Sequence, residues 1–137
     1  ITQSGDFVKQ VITALSGGML LIVALTCAKM LKKLIRKRRP LKKTELFVPF
    51  DRYAFPSAHA ASLFALTAFI LSQNLWVGAA SLIVTVVIVL GRVQARVHDY
   101  IDIAGGFVIG VGVTYHLAPY VLVYITSYLV PIVLAQV

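Results

Sequence analysis

Long apolar runs, separated by only a few polar residues, constrain this chain more than any other feature. Apolar residue types make up 59% of the sequence and charged ones 13%, against about half and about a quarter in a soluble domain. Five runs have roughly the length of a membrane-spanning helix: residues 7–30, 57–73, 75–91, 102–117 and 120–135. Backbone in lipid must satisfy its own hydrogen bonds, and the runs lack the polar alternation of barrel strands. The sequence therefore predicts an all-α integral membrane helical bundle of about five transmembrane helices, in a single domain over residues 1–137.

Basic residues are concentrated in the first linker. Nine of the 13 lysines and arginines lie between Lys29 and Lys43, and none follows Arg96. Such a block beside an apolar run is typical of a surface that binds lipid headgroups or phosphate, and nucleic acid is not an expected partner of a chain embedded in lipid. Taken alone, the block has the simpler interpretation of a topological anchor. Residues 41–55 combine aromatic and charged side chains and are expected to form an interfacial loop.

Counting the crossings places one set of polar residues at a single membrane face. The first helix ends there, the second begins there, the third returns to it and the fourth leaves from it. The polar residues at these helix ends are Lys32 to Arg39, Ser57, His59, Arg92, His98 and Asp102. Ionisable residues near hydrocarbon are costly and usually functional, so hydropathy alone predicts an active site at this face.

Two segments of this set suit phosphoryl transfer. If residues 98–102 begin a helix, His98 and Asp102 share a face, and the carboxylate can orient the imidazole as a nucleophile. Ser57 can cap the second helix, whose N–H groups form an anion site with His59 in the first turn. His98 would then attack phosphorus and His59 would protonate the leaving oxygen. Taken singly, each segment also has a plainer explanation, as a helix cap with an interfacial histidine or as a surface ion pair.

The order of these residues resembles the three signatures of the type 2 phosphatidic acid phosphatase family, membrane lipid phosphatases related to soluble vanadium haloperoxidases. The matching segments, within residues 29–110, are Lys32-x6-Arg39-Pro40, Pro56-Ser57-x-His59 and Arg92-x5-His98-x3-Asp102. Ala58 stands where the second signature usually has glycine, and Gly91 where the third usually has serine. The Ala58 N–H is expected to remain directed at phosphate provided that its φ is negative.

The resemblance implies a metal-independent lipid phosphatase that acts through a phosphohistidine. It implies that His98 is the nucleophile, Asp102 its orienting partner and His59 the acid for the leaving group. The phosphate ligands that it implies are Lys32, Arg39, Ser57, Ala58 and Arg92. The basic residues that match nothing invariant are expected to tune headgroup binding or to face solvent; they are Arg36, Lys37, Arg38 and Arg96.

The implied substrates are undecaprenyl pyrophosphate, phosphatidic acid or phosphatidylglycerophosphate, and no cofactor is expected. The small size resembles bacterial members, which implies the inner membrane, with the side of the active site left open. A lipid phosphotransferase of the same fold, an inactive lipid-binding protein, and a metal site built from His59, His98 and Asp102 remain alternatives. Gly106 and Gly110 form a small-xxx-small pair that suits either a homo-oligomer or, more simply, close packing within the bundle.

Overall fold

Helices make up most of the part of the chain that the structure describes. The computed structural model describes residues 2–38 and 53–134, and outside the helices it has an isolated bridge between Arg38 and Tyr53. The helices are α1 (Thr2–Ile35), α2 (Ala58–Gln73), α3 (Leu75–Gln94), α4 (Tyr100–Tyr124), a π-helical turn (Ile125–Leu129) and the short α5 (Val130–Leu134). The all-α prediction is confirmed for these residues. Arg39 and most of the predicted interfacial loop lie outside them.

Three helical stretches are long and apolar enough to cross a membrane. They are Gly5–Ile35, Leu75–Gln94 and Tyr100–Ile132. α2 is also apolar but has only 16 residues, about 24 Å at a rise of about 1.5 Å per residue. Large apolar side chains such as Trp76 and Ile83 are exposed on the outside of the bundle, which is the arrangement that lipid favours. These features indicate an integral membrane protein.

The predicted boundary between a fourth and a fifth span is wrong. Pro119 lies inside α4, and the helical conformation continues through the π-helical turn to Leu134. A proline removes one helical hydrogen bond, but lipid supplies no partners for the backbone of an open turn, so remaining helical costs less than a break. The described residues therefore contain four helices of 16 residues or more, against the five predicted.

Small side chains let α2 lie at the centre of the bundle. Ala24 and Ala28 of α1 pack in one buried cluster with Ala58, Ala61 and Ala65 of α2. Alanine at each contact allows the two backbones to approach closely, as small residues do in membrane helix pairs. α2 thereby contacts α1, α3 and α4.

The glycine pair of α4 faces the same central helix. A Cβ atom added to Gly106 would lie 2.6 Å from the Ala60 Cβ and 2.7 Å from the Ser57 carbonyl oxygen. At Gly110 it would lie 2.8 Å from the Ala65 nitrogen. The pair therefore serves packing within the chain, the simpler of its two predicted uses.

Candidate active site

The start of α4 carries a buried histidine–aspartate pair. Asp99 is the N-cap: its Oδ1 accepts the Asp102 N–H at 2.9 Å, while Asp102 Oδ2 accepts the Asp99 N–H at 2.9 Å. This reciprocal capping box turns the Asp102 carboxylate back towards the preceding residues. Asp102 Oδ2 lies 3.4 Å from His98 Nδ1, and both side chains are almost fully buried. The structure thus brings the two together as predicted, although the helix begins at Tyr100, after His98.

A five-residue connection from α3 to α4 keeps Arg92 beside His98. The Arg92 carbonyl accepts the N–H of Val97 at 3.2 Å and that of His98 at 3.4 Å. Arg96 reverses the chain direction in the left-handed conformation, with φ +54°. The Arg92 side chain is partly buried. Both polar residues of the third signature that flank this turn are therefore held at one end of the bundle.

The start of α2 is hydrogen-bonded to the start of α4. The Ser57 N–H donates to the Asp102 carbonyl at 2.9 Å, and Ser57 is fully buried. Ser57 is the N-cap of α2, as predicted, with its Oγ accepting the Ala60 N–H at 3.3 Å. Ala58 has the negative φ that the prediction required, and His59 is exposed in the first helical turn. His59 and His98 consequently lie at the same end of the bundle.

Lys32 continues the inward face of α1. Ala24, Ala28 and Lys32 follow one another at intervals of four residues, which places them on one face of the helix, and all three are buried. Ala28 belongs to the same cluster as Ala58, so Lys32 lies one turn further towards the start of α2. A lysine that is only 3% exposed is rare in proteins. Its position suits a cation that binds an anion held between the helix ends.

Lys37 adds a second cation to this end of the bundle. α1 ends at Ile35, and Arg36 follows in the left-handed conformation with φ +54°. The chain then turns back, and Lys37 Nζ lies 2.5 Å from Asp99 Oδ2 and 2.8 Å from Asp102 Oδ1. One ammonium group therefore joins the segment after α1 to both carboxylates of the α4 capping box.

Sequence reasoning missed the roles of Asp99 and Lys37. Arg36, Arg38 and Arg96 are exposed, in keeping with their prediction, whereas Lys37 is partly buried and paired with carboxylates. Asp99 could have been found, because an acidic residue three positions before a second one at a helix start is typical of a capping box. No local pattern distinguishes Lys37 from its basic neighbours.

The ion pair between Lys37 and Asp99, which lie outside the membrane-spanning stretches, shifts the pKa of each residue. Burial alone would lower the pKa of Lys37, but hydrogen bonds to Asp102 and Asp99 outweigh burial and raise this pKa above its usual 10.5. Burial alone would raise the pKa of Asp99, but the hydrogen bond from Lys37 and a backbone N–H lower it below its usual 3.8. Both groups are therefore charged across the neutral range.

The assembled groups are suited to chemistry on a phosphate. An imidazole backed by a carboxylate can act as a nucleophile, and a helix N-terminus with a nearby lysine can hold an anion. The alternative of a metal site is not supported, because residues 2–38 and 53–134 contain no group of three His, Cys, Asp or Glu that could hold a metal ion. Arg39, the remaining predicted phosphate ligand, lies outside these residues.

The long apolar helices indicate an integral membrane protein, and a buried histidine–aspartate pair lies at one end of its bundle. The model of the PAP2 superfamily matches residues 11–125, a range that includes all three signatures. The chain belongs to the PAP2 superfamily, and the predicted resemblance to type 2 phosphatidic acid phosphatases is confirmed. Members of this superfamily are generally phosphatases, which supports phosphoester hydrolysis as the class of reaction. No solved structure gives a significant match to the chain.

Proposed function

We propose that this protein is a membrane lipid phosphatase that hydrolyses a phosphomonoester or pyrophosphate on a lipid. The observation that carries the proposal is the buried His98–Asp102 pair, hydrogen-bonded through Asp102 to the start of α2 at one end of an apolar bundle. A site at the end of membrane helices suits a substrate whose phosphate lies at the headgroup level and whose tail remains in lipid. Family membership supports the reaction class.

His98 is the nucleophile in this mechanism. Its Nε2 attacks phosphorus, and the bond from phosphorus to the lipid oxygen breaks. Asp102 holds the Nδ1 proton and stabilises the positive charge that develops on the imidazole. The phosphate oxygens are bound by Lys32, Arg39, Arg92, Ser57 Oγ and the N–H of Ala58, which spread the developing negative charge.

His59 transfers the protons. It donates a proton to the departing lipid oxygen as that oxygen leaves phosphorus. It then removes a proton from the water molecule that attacks the phosphohistidine, which releases inorganic phosphate and restores His98. Its exposure in the first turn of α2 supports this role, because the group must meet both substrate and water. The mechanism requires no metal ion, and activity is expected to survive a chelator.

The proposed substrates are undecaprenyl pyrophosphate, phosphatidic acid and phosphatidylglycerophosphate. They share a phosphate at the bilayer edge and a long apolar tail. Undecaprenyl pyrophosphate as the substrate would place the protein in a bacterial inner membrane. Purified protein in detergent, assayed against this panel with and without EDTA, identifies the preferred lipid.

His98→Ala is the decisive variant. We expect it to abolish phosphate release, because no other group replaces the nucleophile, while the helical content remains that of the wild type. The matched control is His116→Ala, since His116 is exposed and follows Asp102 by 14 residues along α4, about 21 Å away at about 1.5 Å per residue. Full activity in His98→Ala would refute the nucleophile. Consumption of lipid phosphate without release of inorganic phosphate would indicate a phosphotransferase instead.

A further inference from the structure

The two oxygens of the Asp102 carboxylate have different partners. Oδ2 accepts the Asp99 N–H at 2.9 Å and lies 3.4 Å from His98 Nδ1. Oδ1 accepts a hydrogen bond from Lys37 Nζ at 2.8 Å. Tilting the carboxylate plane would weaken these interactions together, so the partner on Oδ1 helps to hold the plane in the orientation in which the other oxygen faces the imidazole.

We propose that Lys37 is a positioning residue that holds the Asp102 carboxylate in the orientation that presents Oδ2 to His98. The inference rests on the proposed function, because Lys37 would serve the attack of His98 on phosphorus. Asp102 is fully buried, and a buried carboxylate without a counter-charge seeks another partner or another orientation. Lys37 supplies both the charge and the directed donor, and thereby fixes the imidazole through Asp102.

The backbone around Lys37 is itself held in place. The Lys37 carbonyl accepts the Ala54 N–H at 2.8 Å, and the next residue, Arg38, bridges to Tyr53. The left-handed Arg36 turns the chain immediately before it. An ammonium group on an anchored backbone can define the geometry of its partner, whereas a lysine on a loose surface segment cannot.

The contacts of Lys37 favour positioning over phosphate binding. Two of the three ammonium hydrogens are directed at carboxylates, Asp99 Oδ2 at 2.5 Å and Asp102 Oδ1 at 2.8 Å. The charge of the ammonium group is thus already matched by nearby negative charge. Lys32, buried on the inward face of α1, is the better candidate for direct contact with phosphate.

The test separates kcat from KM in three variants. Lys37→Met removes the charge and the donor, and we expect kcat to fall roughly 10- to 100-fold, the loss typical of outer partners that orient a functional group, with KM close to that of the wild type. Lys37→Arg keeps a charged donor and should retain most of kcat. Lys33→Met, at an exposed site near the end of α1, is the matched control and should behave like the wild type.

Several outcomes would overturn the inference. A raised KM with unchanged kcat in Lys37→Met would make Lys37 a phosphate ligand. A lowered Tm with unchanged kcat per folded molecule would make it a structural tie between α1 and α4. If Lys37→Met does not fold, Lys37→Gln takes its place in the test. Glutamine is neutral, so the kcat of Lys37→Gln should be lower than that of Lys37→Arg. Equal kcat in these two variants, or failure of both neutral variants to fold, also refutes a positioning role.

A spectroscopic readout decides the inference separately from the activity. Long-range ¹H–¹⁵N spectra report the tautomer of each histidine, and His98→Ala identifies the signals of His98. We expect a single Nδ1–H tautomer of His98 in the wild type and in Lys37→Arg, and a mixture in Lys37→Met. If the wild type releases no phosphate from any lipid, the proposed function fails, while an unchanged tautomer in Lys37→Met refutes the inference on its own.

Discussion

Replacing Gly106 by alanine tests the packing that brings α4 onto α2. The added Cβ atom would lie 2.6 Å from the Ala60 Cβ and 2.7 Å from the Ser57 carbonyl oxygen. Non-bonded carbon atoms prefer separations of about 3.5–4.0 Å, so α4 must move away from α2 by roughly 1 Å. Because Ser57 also donates its N–H to the Asp102 carbonyl, that movement also disturbs the active site.

Two opposing effects set the change in free energy of unfolding in Gly106→Ala. Overpacking a well-filled contact costs about 1–3 kcal/mol. Alanine is a better helix former than glycine by about 1 kcal/mol, which offsets part of this cost. Gly112 lies on the same helix, and a Cβ atom added there meets nothing within 4 Å. Gly112→Ala therefore has only the favourable term, and we expect the two variants to differ by about 1–3 kcal/mol in free energy of unfolding.

The assay compares the two variants in mixed micelles. Unfolding by increasing fractions of a denaturing detergent, followed by circular dichroism, gives the difference in free energy, and phosphate release gives the effect on the site. We expect Gly106→Ala to be both less stable and less active, and Gly112→Ala to match the wild type in activity. Equal stability of the two variants would refute the close approach of α4 to Ser57 and Ala60.

The remaining predictions concern Arg96 and Asp99. The backbone of Arg96 is in the left-handed conformation, which glycine adopts without strain. Arg96→Gly should therefore raise the free energy of unfolding by about 0.5–1 kcal/mol, and Arg96→Val should lower it. Thermal unfolding measures both changes. A valine variant more stable than the glycine variant would contradict this reasoning. The pKa of Asp99 is lowered in the folded state, so its stabilising effect is present above its usual pKa of 3.8 and is lost as the pH falls through the folded value. The Tm difference between wild type and Asp99→Asn should thus be largest near neutral pH and shrink under strongly acidic conditions; a constant difference would argue against the ion pair with Lys37.

Much of the fold follows from local signals in the sequence. Apolar runs in lipid must be helical, and Ser57 marks the start of α2 because its side chain satisfies a free N–H of the first turn. Asn74 is the single residue between α2 and α3, as the predicted runs 57–73 and 75–91 indicate, so this boundary needed no tertiary information. Short connections then force helix ends together, and this is why Ser57, His98 and Asp102 could be assigned to one face.

Pro119 was misjudged because its effect depends on the surroundings. In a soluble protein a proline at that position commonly ends a helix, since water can bond the exposed backbone groups. In α4 the flanking residues remain helical, because lipid offers no such partners. At Pro119 the local preference is to end the helix, whereas the apolar surroundings favour its continuation, and the helix continues.

The sequence by itself determined that the chain is helical and largely apolar, and that several of its polar residues share one end of the bundle, because hydropathy and helix caps are local signals. Only the tertiary structure decided that Lys37, among its basic neighbours, turns inward to meet Asp99 and Asp102, which lie 62 and 65 residues away along the chain. The physical reason is that the left-handed turn at Arg36 and the backbone bond to Ala54 set the direction of this side chain. Contacts across such a separation depend on how the helices pack, which no local pattern encodes.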